Sequence, residues 1–359
     1  MEAEVFRQLI INPGSASTKF AVYENESCLF EKKIEHPASD LQKFQRVADQ
    51  KDYRLNLILD ALAEEGLSAY SFTAVVGRGG LLQPMESGTY LVNDQMKHDL
   101  ASVPREEHAA NLGALIADAI AGMAGRPAFI VDPVCTDELD EVARISGLPE
   151  LERISLCHAL NMKAVARKVA ASLGRCLEDC NFVVVHLGSG ISVSPFKKGR
   201  IVDSNAAIQD GPFSPERCGG LPAMQLLKLC YSGSYSYQEM YDKLMKWGGM
   251  YAYLGTKDVR EAERLAEDGN DQACLVLEAM AYQIAKEIGA MAAVLSGEVD
   301  RVVITGGIAY SQFIIDRVIA RVRFIAPVVV MPGEEELESL ALGGLRVLRG
   351  EEQPKTYLG

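Results

Sequence analysis

The chain has 359 residues, 48% of them hydrophobic, with 49 acidic against 36 basic side chains and a formal net charge of -13 at pH 7. That length buries a large core and predicts two packed lobes, while the acidic balance excludes a whole-chain basic field for nucleic acid or an anionic membrane surface, so any polyphosphate must be held by local groups. No apolar run of about 18 residues occurs, and the opening MEAEVFRQLIINPG carries acids where a signal peptide carries Lys or Arg, which predicts a cytoplasmic chain without export signal or membrane span.

RQLIIN (7–12) and FAVYE (20–24) read as strands joined by the small-residue turn PGSASTK, with a third strand at 27–34. A helix around 53–66 and the strand-like AVVGRGG (74–80) follow. The stretch 104–125 starts with Pro and two acids, spaces Leu112, Leu115, Ile116, Ala119 and Ile120 helically, ends in Gly, and so predicts a helix before the strand AFIVDP (128–133).

Beyond a helix at 159–173, the second half repeats the theme. NFVVVH (181–186) is an apolar strand, LGSG a turn, ISVSPF a returning strand and RIVDSN a further one. Helices are expected at 222–231, 237–246, 257–268 and 271–296, then strand 301–305, helix 311–322, strand 327–331 and helix 336–349. Alternating strands and helices imply a largely parallel sheet with helical cover, and two glycine hairpins opening two similar halves suggest a duplicated domain with a cleft between the copies. The change of lobe is expected near Asp132–Asp137. The eight cysteines form no C-x-x-C pair and no zinc-spaced cluster, and are expected mostly as buried, reduced side chains with no disulfide or structural metal.

INPGSASTK gathers Gly14, Ser15, Ser17, Thr18 and Lys19 into one turn whose donors could wrap a phosphate, or form an ordinary hairpin turn. HLGSG sets two side-chain-free positions after His186, an imidazole able to donate to an anionic oxygen or to serve packing alone. ITGGI (304–308) is a third glycine junction at the end of an apolar strand. Three such junctions together favour a nucleotide crevice in an α/β sheet.

Arg78 ends an apolar strand between glycines, and Arg217 lies in GPFSPERCGGLP. Two guanidiniums converging would offset the charge that repels a carboxylate from ATP, whereas structural salt bridges are the alternative for either one. Asp132, at a strand end before Pro133, and Glu334, Glu335 and Glu336 after MPG are natural Mg²⁺ ligands. With Asn12 they would be chemically sufficient, though the triplet also suits a helix N-terminus.

As a set, INPGSASTK, VVGRGGL, VDPVCTDEL, CHALNMKAVAR, HLGSGIS, DGPFSPERCGGLP, the DVR of GTKDVRE, ITGGI and PGEEELESLA resemble the acetokinase family, within the sugar kinase and actin superfamily. The match runs nearly end to end, in the family's order. The resemblance implies an α/β fold with two duplicated lobes of the actin-like ATPase, ribonuclease H-like type, mixed sheets covered by helices, and an active site in the interlobe cleft. It places residues 1–134 with about 337–359 in an N-terminal lobe on the carboxylate and magnesium side, and 135–336 in a nucleotide-binding C-terminal lobe.

Residue by residue, Asn12 and Glu335 resemble the family's magnesium site, and Lys19, with Gly14, Ser15 and Ser17, its ATP-side turn. Arg78 resembles the substrate-carboxylate arginine, Asp132 the active-site aspartate, Arg217 the transition-state arginine, and His158 a histidine near the transferred phosphoryl group. His186, Gly188, Ser189 and Gly190 are similar to the phosphate loop; Asp258, Arg260, Gly306, Gly307 and Ile308 to the adenosine pocket. Met162 stands where the acetate kinase form has a second histidine, and Ala309, Tyr310 and Ser311 replace its acidic and amide residues. The activity implied is ATP-dependent phosphorylation of a short-chain fatty acid, butyrate in the first place, by a homodimer or higher homo-oligomer. An acetate, propionate or branched-chain acid is the alternative substrate. A non-catalytic nucleotide-binding switch is the rival function.

Overall fold

The protein, a computed structural model describing residues 4–102, 107–208 and 210–359, divides into two compact units. They are Met1–Thr136 with Glu335–Gly359, and Asp137–Glu334.

Strands are numbered in chain order. The first unit holds β1 (Arg7–Pro13), β2 (Ser17–Glu24), β3 (Ser27–Glu35), β4 (Ala74–Arg78), β5 (Thr89–Leu91), β6 (Ala128–Val131) and β12 (Lys355–Thr356), in the sheet order β12-β5-β6-β4-β1-β2-β3. β1 pairs antiparallel with β2 and parallel with β4, so a hairpin and a parallel crossover share one central strand. Its Leu9, Ile10 and Ile11 are fully buried because both faces are covered. Leu9, Ile11 and Val75 pack with helix Asn111–Met123. Gln8 and Val76, pointing the other way, lie against helix Glu336–Leu348, where the Gln8 amide donates to Ala341 O.

The second unit holds β7 (Asn181–Leu187), β8 (Ile191–Lys197), β9 (Arg200–Ile201), β10 (Arg301–Gly306) and β11 (Val328–Pro332), in the order β11-β10-β7-β8-β9. Val183 and Val185 pack with the 24-residue helix Asp271–Val294. Phe182 and Val184, on the opposite face, pack with helix Ala159–Ser172. An antiparallel three-stranded meander continued by two parallel strands on the far side of its first strand therefore occurs in each unit: β1-β2-β3 with β4 and β6, and β7-β8-β9 with β10 and β11. This is the ribonuclease H-like order. Both sheets are mixed, since each central strand opens with a hairpin, not largely parallel as the alternation of elements suggests.

Four expectations change. RIVDSN is a strand only at Arg200–Ile201, because Asn205 takes over ladder positions with its side chain, accepting from Val193 N at 2.5 Å and donating to Ile191 O at 2.8 Å. The helix expected from 104 begins at Asn111, its first predicted residues at 104–106 lying outside the described residues. β5, β12, helix Asp94–Ala101 and helix Gly249–Leu254 were not expected. Only Cys135, Cys157 and Cys180 are buried, while Cys28, Cys176, Cys230 and Cys274 are exposed.

Candidate active site

In the first unit the β1–β2 register opposes Asn12 to Lys19 and Pro13 to Thr18, and Gly14 N closes the turn by donating to Ser17 O at 2.7 Å. The turn rests on Arg54 of helix Lys51–Glu64, a side chain only 1% exposed. Its Nη1 donates to Gly14 O at 2.7 Å, Ser17 O at 3.2 Å and Thr18 Oγ1 at 3.1 Å, and its Nη2 to Ser15 O at 3.2 Å. Gln50 Oε1 accepts from Nε at 3.1 Å and from Nη2 at 2.8 Å. Thr18 Oγ1 also meets His36 Nε2 at 2.8 Å, and the His36 amide donates to Ala16 O at 2.8 Å.

Beside the turn, the Asn12 amide donates to Glu336 Oε2 at 2.6 Å, and Arg78 pairs with the other oxygen, Glu336 Oε1. Asn12, Gly14, Ser15, Ser17, Lys19, Arg78 and Glu336 line one cavity of ≈ 500 Å³. Of the acidic triplet, it is thus Glu336 that meets Asn12, whereas Glu335 caps the helix and accepts from Ser339 through its carbonyl. Asp132 is not among the cavity's lining residues. It is 1% exposed at the end of β6, accepts from Gly88 N at 2.7 Å, and holds φ at +37°, a left-handed conformation that costs a non-glycine residue on the order of 1–3 kcal/mol.

In the second unit His186, 2% exposed, is the penultimate residue of β7. Its Nδ1 lies 2.8 Å from Asn161 Oδ1 and its Nε2 3.2 Å from Glu334 Oε1, so both ring nitrogens face oxygens. The His158 ring stacks on it, centroids 3.9 Å and planes 12° apart, and is tied to Ser192 Oγ at 2.9 Å. The turn is tight: Gly188 N donates to Gly190 O at 3.1 Å, and Ser214 Oγ donates to Ser189 O at 2.5 Å.

Arg217 leans on this turn. A Cβ at Gly190 would stand 2.5 Å from its Nη1, so only glycine lets the guanidinium lie there. Nη1 donates to Ala207 O at 3.3 Å, and Nε is buried without a partner among the described residues. A buried, unsatisfied guanidinium donor is costly unless a ligand oxygen supplies the missing acceptor.

A second cavity, of ≈ 760 Å³, is lined by Gly188, Ser189, Lys257, Asp258, Arg260, Glu263, Gly307, Ile308, Tyr310, Ser311 and Glu334. The structure thereby brings Asp258, Arg260, Gly307 and Ile308 together with the Gly188–Ser189 turn, whereas His186, Gly190 and Gly306 are not among the lining residues. Asp258 caps helix Val259–Glu267, and its bonds to Arg260 hold its carboxyl down at about 2. Ser311 bonds to Glu263 and caps the following helix. Gly306 has φ +93° and lies so near Leu187 that a Cβ would stand 2.4 Å from its carbonyl oxygen.

Arg54, Asn161, Lys257 and Glu263 carry no motif that marks them in the sequence, and Glu336 is marked there only as one of an acidic triplet in which the resemblance points to Glu335. Arg54 carried one signal: it shares the buried stripe of its helix with Leu55, Ile58, Ala61 and Leu62. Among the described residues no group of three or more His, Cys, Asp or Glu side chains is gathered for a metal, and no helix is long and apolar enough to cross a membrane.

Residues 155–330 match the family model described as the acetokinase family. Over 354 residues the chain is 49% identical to butyrate kinase 1 of Clostridium acetobutylicum, covering 98% of this chain and 100% of that protein. Among solved structures it superposes on the acetate kinase of Porphyromonas gingivalis with a TM-score of 0.78 at 20% identity, covering 96% and 100% of the two chains. The propionate kinase of Francisella tularensis gives a TM-score of 0.71 at 19% identity, covering 94% and 98%. At such identities these two show the fold alone.

Proposed function

The chain belongs to the acetokinase family, and from that premise we propose that it phosphorylates a short-chain fatty acid, butyrate foremost, with ATP to give the acyl phosphate and ADP. The observation carrying this reading is the first unit's cavity, where Arg78, Lys19 and the Ser15–Ser17 turn surround one space with the Asn12–Glu336 pair. Two cations and a hydroxyl-bearing turn suit an anion. Butyrate is taken from the relative of 49% identity.

A fatty carboxylate has a pKa near that of Glu, about 4.3, so at neutral pH it is already the nucleophile and needs no general base. One carboxylate oxygen forms the new bond to the γ-phosphorus as the bond to the β-γ bridging oxygen breaks, and ADP leaves with that electron pair. Arg78 orients the carboxylate. Arg217, whose buried Nε lacks an acceptor, is assigned to the phosphoryl oxygens as charge spreads over them, and the stacked pair His158 and His186 belongs to the same unit. Asp132 positions the start of β5 through Gly88 and abstracts no proton. The second cavity takes the nucleoside, with Gly307 and Ile308 against the base and Asp258 and Arg260 at its rim.

Asn12 and Glu336, with Glu335 adjacent, present amide and carboxylate oxygens, hard donors that fit magnesium. The ion, when bound, would neutralise phosphate charge. The cytoplasm as location and a homo-oligomer as the working form belong to the same reading; helix Ala223–Cys230 buries none of its residues and exposes Met224, Leu227 and Leu229, which supports self-association.

Hydroxylamine trapping of acyl phosphate, with ATP, magnesium and acids of two to five carbons, tests the reading. Highest turnover on the four-carbon acid is expected. A maximum at two or three carbons would make it an acetate or propionate kinase, and no hydroxamate from any acid would leave a nucleotide-binding switch.

A further inference from the structure

Buried arginines normally face carboxylates. Arg54, 1% exposed, faces none among the described residues: its hydrogen bonds go to Gln50 Oε1, to Thr18 Oγ1 and to the carbonyls of Gly14, Ser15 and Ser17. Its five N–H groups, fixed in one plane, are all engaged by a single turn and by the side chain of Gln50, the N-cap of its helix. The remaining carbonyl of the turn, Ala16 O, accepts from the His36 amide.

Every carbonyl from Gly14 to Ser17 is therefore drawn to the protein side. Among the described residues the amides of Ser15 and Ala16 donate to no protein group. A turn with its carbonyls held inward and free amides outward is an anion cradle. The guanidinium beneath it adds a positive charge with no carboxylate partner among the described residues, and its site is dry enough that burial pulls its pKa down to about 10.

We infer that Arg54 is the positioning residue of the Asn12–Lys19 turn: it turns the amide of Ser15, with that of Ala16 next to it, outward at the cavity that Ser15 lines with Arg78, where the turn holds the terminal phosphoryl group. The identity of the anion rests on the phosphoryl-transfer reading above. The inward pull of Arg54 on the carbonyls does not.

Three variants test it. Arg54→Met keeps the apolar stem and removes every donor, Arg54→Lys restores the charge without the fork, and Gln50→Ala leaves the guanidinium but removes its anchor. Two measurements are made on each: backbone hydrogen exchange of residues 13–19 without nucleotide, and Kd for ATP against ADP by calorimetry. Arg54→Met is expected to speed exchange in the turn more than tenfold, with the sheet strands β4 and β6 unchanged. It should also weaken ATP tenfold or more while ADP shifts less than threefold. Arg54→Lys should recover part of the ATP affinity but not the exchange protection, and Gln50→Ala should move both in the same direction by less. Unchanged exchange in the turn of a folded Arg54→Met or Gln50→Ala protein overturns the positioning role. Faster exchange with ATP and ADP weakened equally overturns the phosphoryl assignment and retains the pin. Absence of ATP binding to the unaltered protein would instead count against the kinase reading.

Discussion

His158 and His186 stack with ring centroids 3.9 Å apart, one ring tied to Ser192 and the other held between Asn161 and Glu334. Packing and polar contact are thus separable at His158. His158→Phe keeps a flat ring on His186 but loses the nitrogens. If His158 meets the transferred group, kcat falls about 10²-fold or more, the cost of losing one donor to developing charge, while the melting temperature stays within a few degrees. Steady-state rates and thermal melts check this, and a Phe variant with full turnover would reduce the histidine to packing.

Arg217 and Gly190 are coupled through a single contact. Arg217→Ala should lower kcat about 10²–10³-fold. Gly190→Ala introduces a Cβ that would stand 2.5 Å from Nη1, the mobile end of a side chain, so the guanidinium moves and the backbone does not. Gly190→Ala alone should therefore cost activity with little stability. Added to Arg217→Ala it should cost little more, a non-additivity that a double-mutant cycle on kcat reads directly.

Arg78 bonds to Glu336 and lines the first cavity. Arg78→Ala should raise KM for the fatty acid about 10–100-fold, the cost of a charge-assisted hydrogen bond of about 1.5–3 kcal/mol, and leave KM for ATP within threefold. Equal increases in both constants would contradict a carboxylate-binding role.

His36 is 4% exposed, and burial, with the Arg54 charge second, pushes its pKa from 6.5 down to about 4. The unfolded chain binds the proton near 6.5, so between pH 6.5 and 4 it holds more protons than the native state. Stability contributed by neutral His36 is present above 6.5 and is lost as pH falls through this window, by on the order of 3 kcal/mol in full. Urea unfolding at pH 7 and pH 4.5 should show a smaller loss for His36→Gln than for the unaltered chain. Parallel pH curves would refute the assignment.

Gly306→Ala meets backbone, not side chain: φ is +93° and the new Cβ would stand 2.4 Å from Leu187 O. Nothing flexible can yield. A loss of about 3 kcal/mol or more is expected, visible as a lowered urea midpoint with unchanged slope.

Much of the fold was legible because the hairpins carry their turns in the sequence and the apolar strands are long. β5 and β12 were not: three residues, Thr89–Leu91, and two, Lys355–Thr356, become strands only because β6 and β5 stand beside them. RIVDSN misled because an Asn side chain can substitute for a neighbouring strand, which composition does not reveal. In the candidate site the glycine turns and Arg78 announce themselves by type and setting. Glu336 could not be told from Glu335 or Glu334, three identical side chains whose partners are fixed by where the helix starts. Arg54 belongs to no motif, and its place on an apolar stripe with Leu55, Ile58, Ala61 and Leu62 is the one sequence feature that sets it apart.

Helix Glu336–Leu348 buries Leu340 and Ala341 completely against the first unit, and β12 pairs with β5 of the same sheet. The first unit is therefore written in two pieces separated by the whole of Asp137–Glu334. On the ribosome its opening 136 residues emerge with one face of their sheet bare and must wait through the synthesis of the entire second unit before their cover arrives. The later-encoded unit can complete its core first. Translation pausing after Glu334, or truncation before Leu340, should leave a chaperone-dependent N-terminal half beside an already folded neighbour.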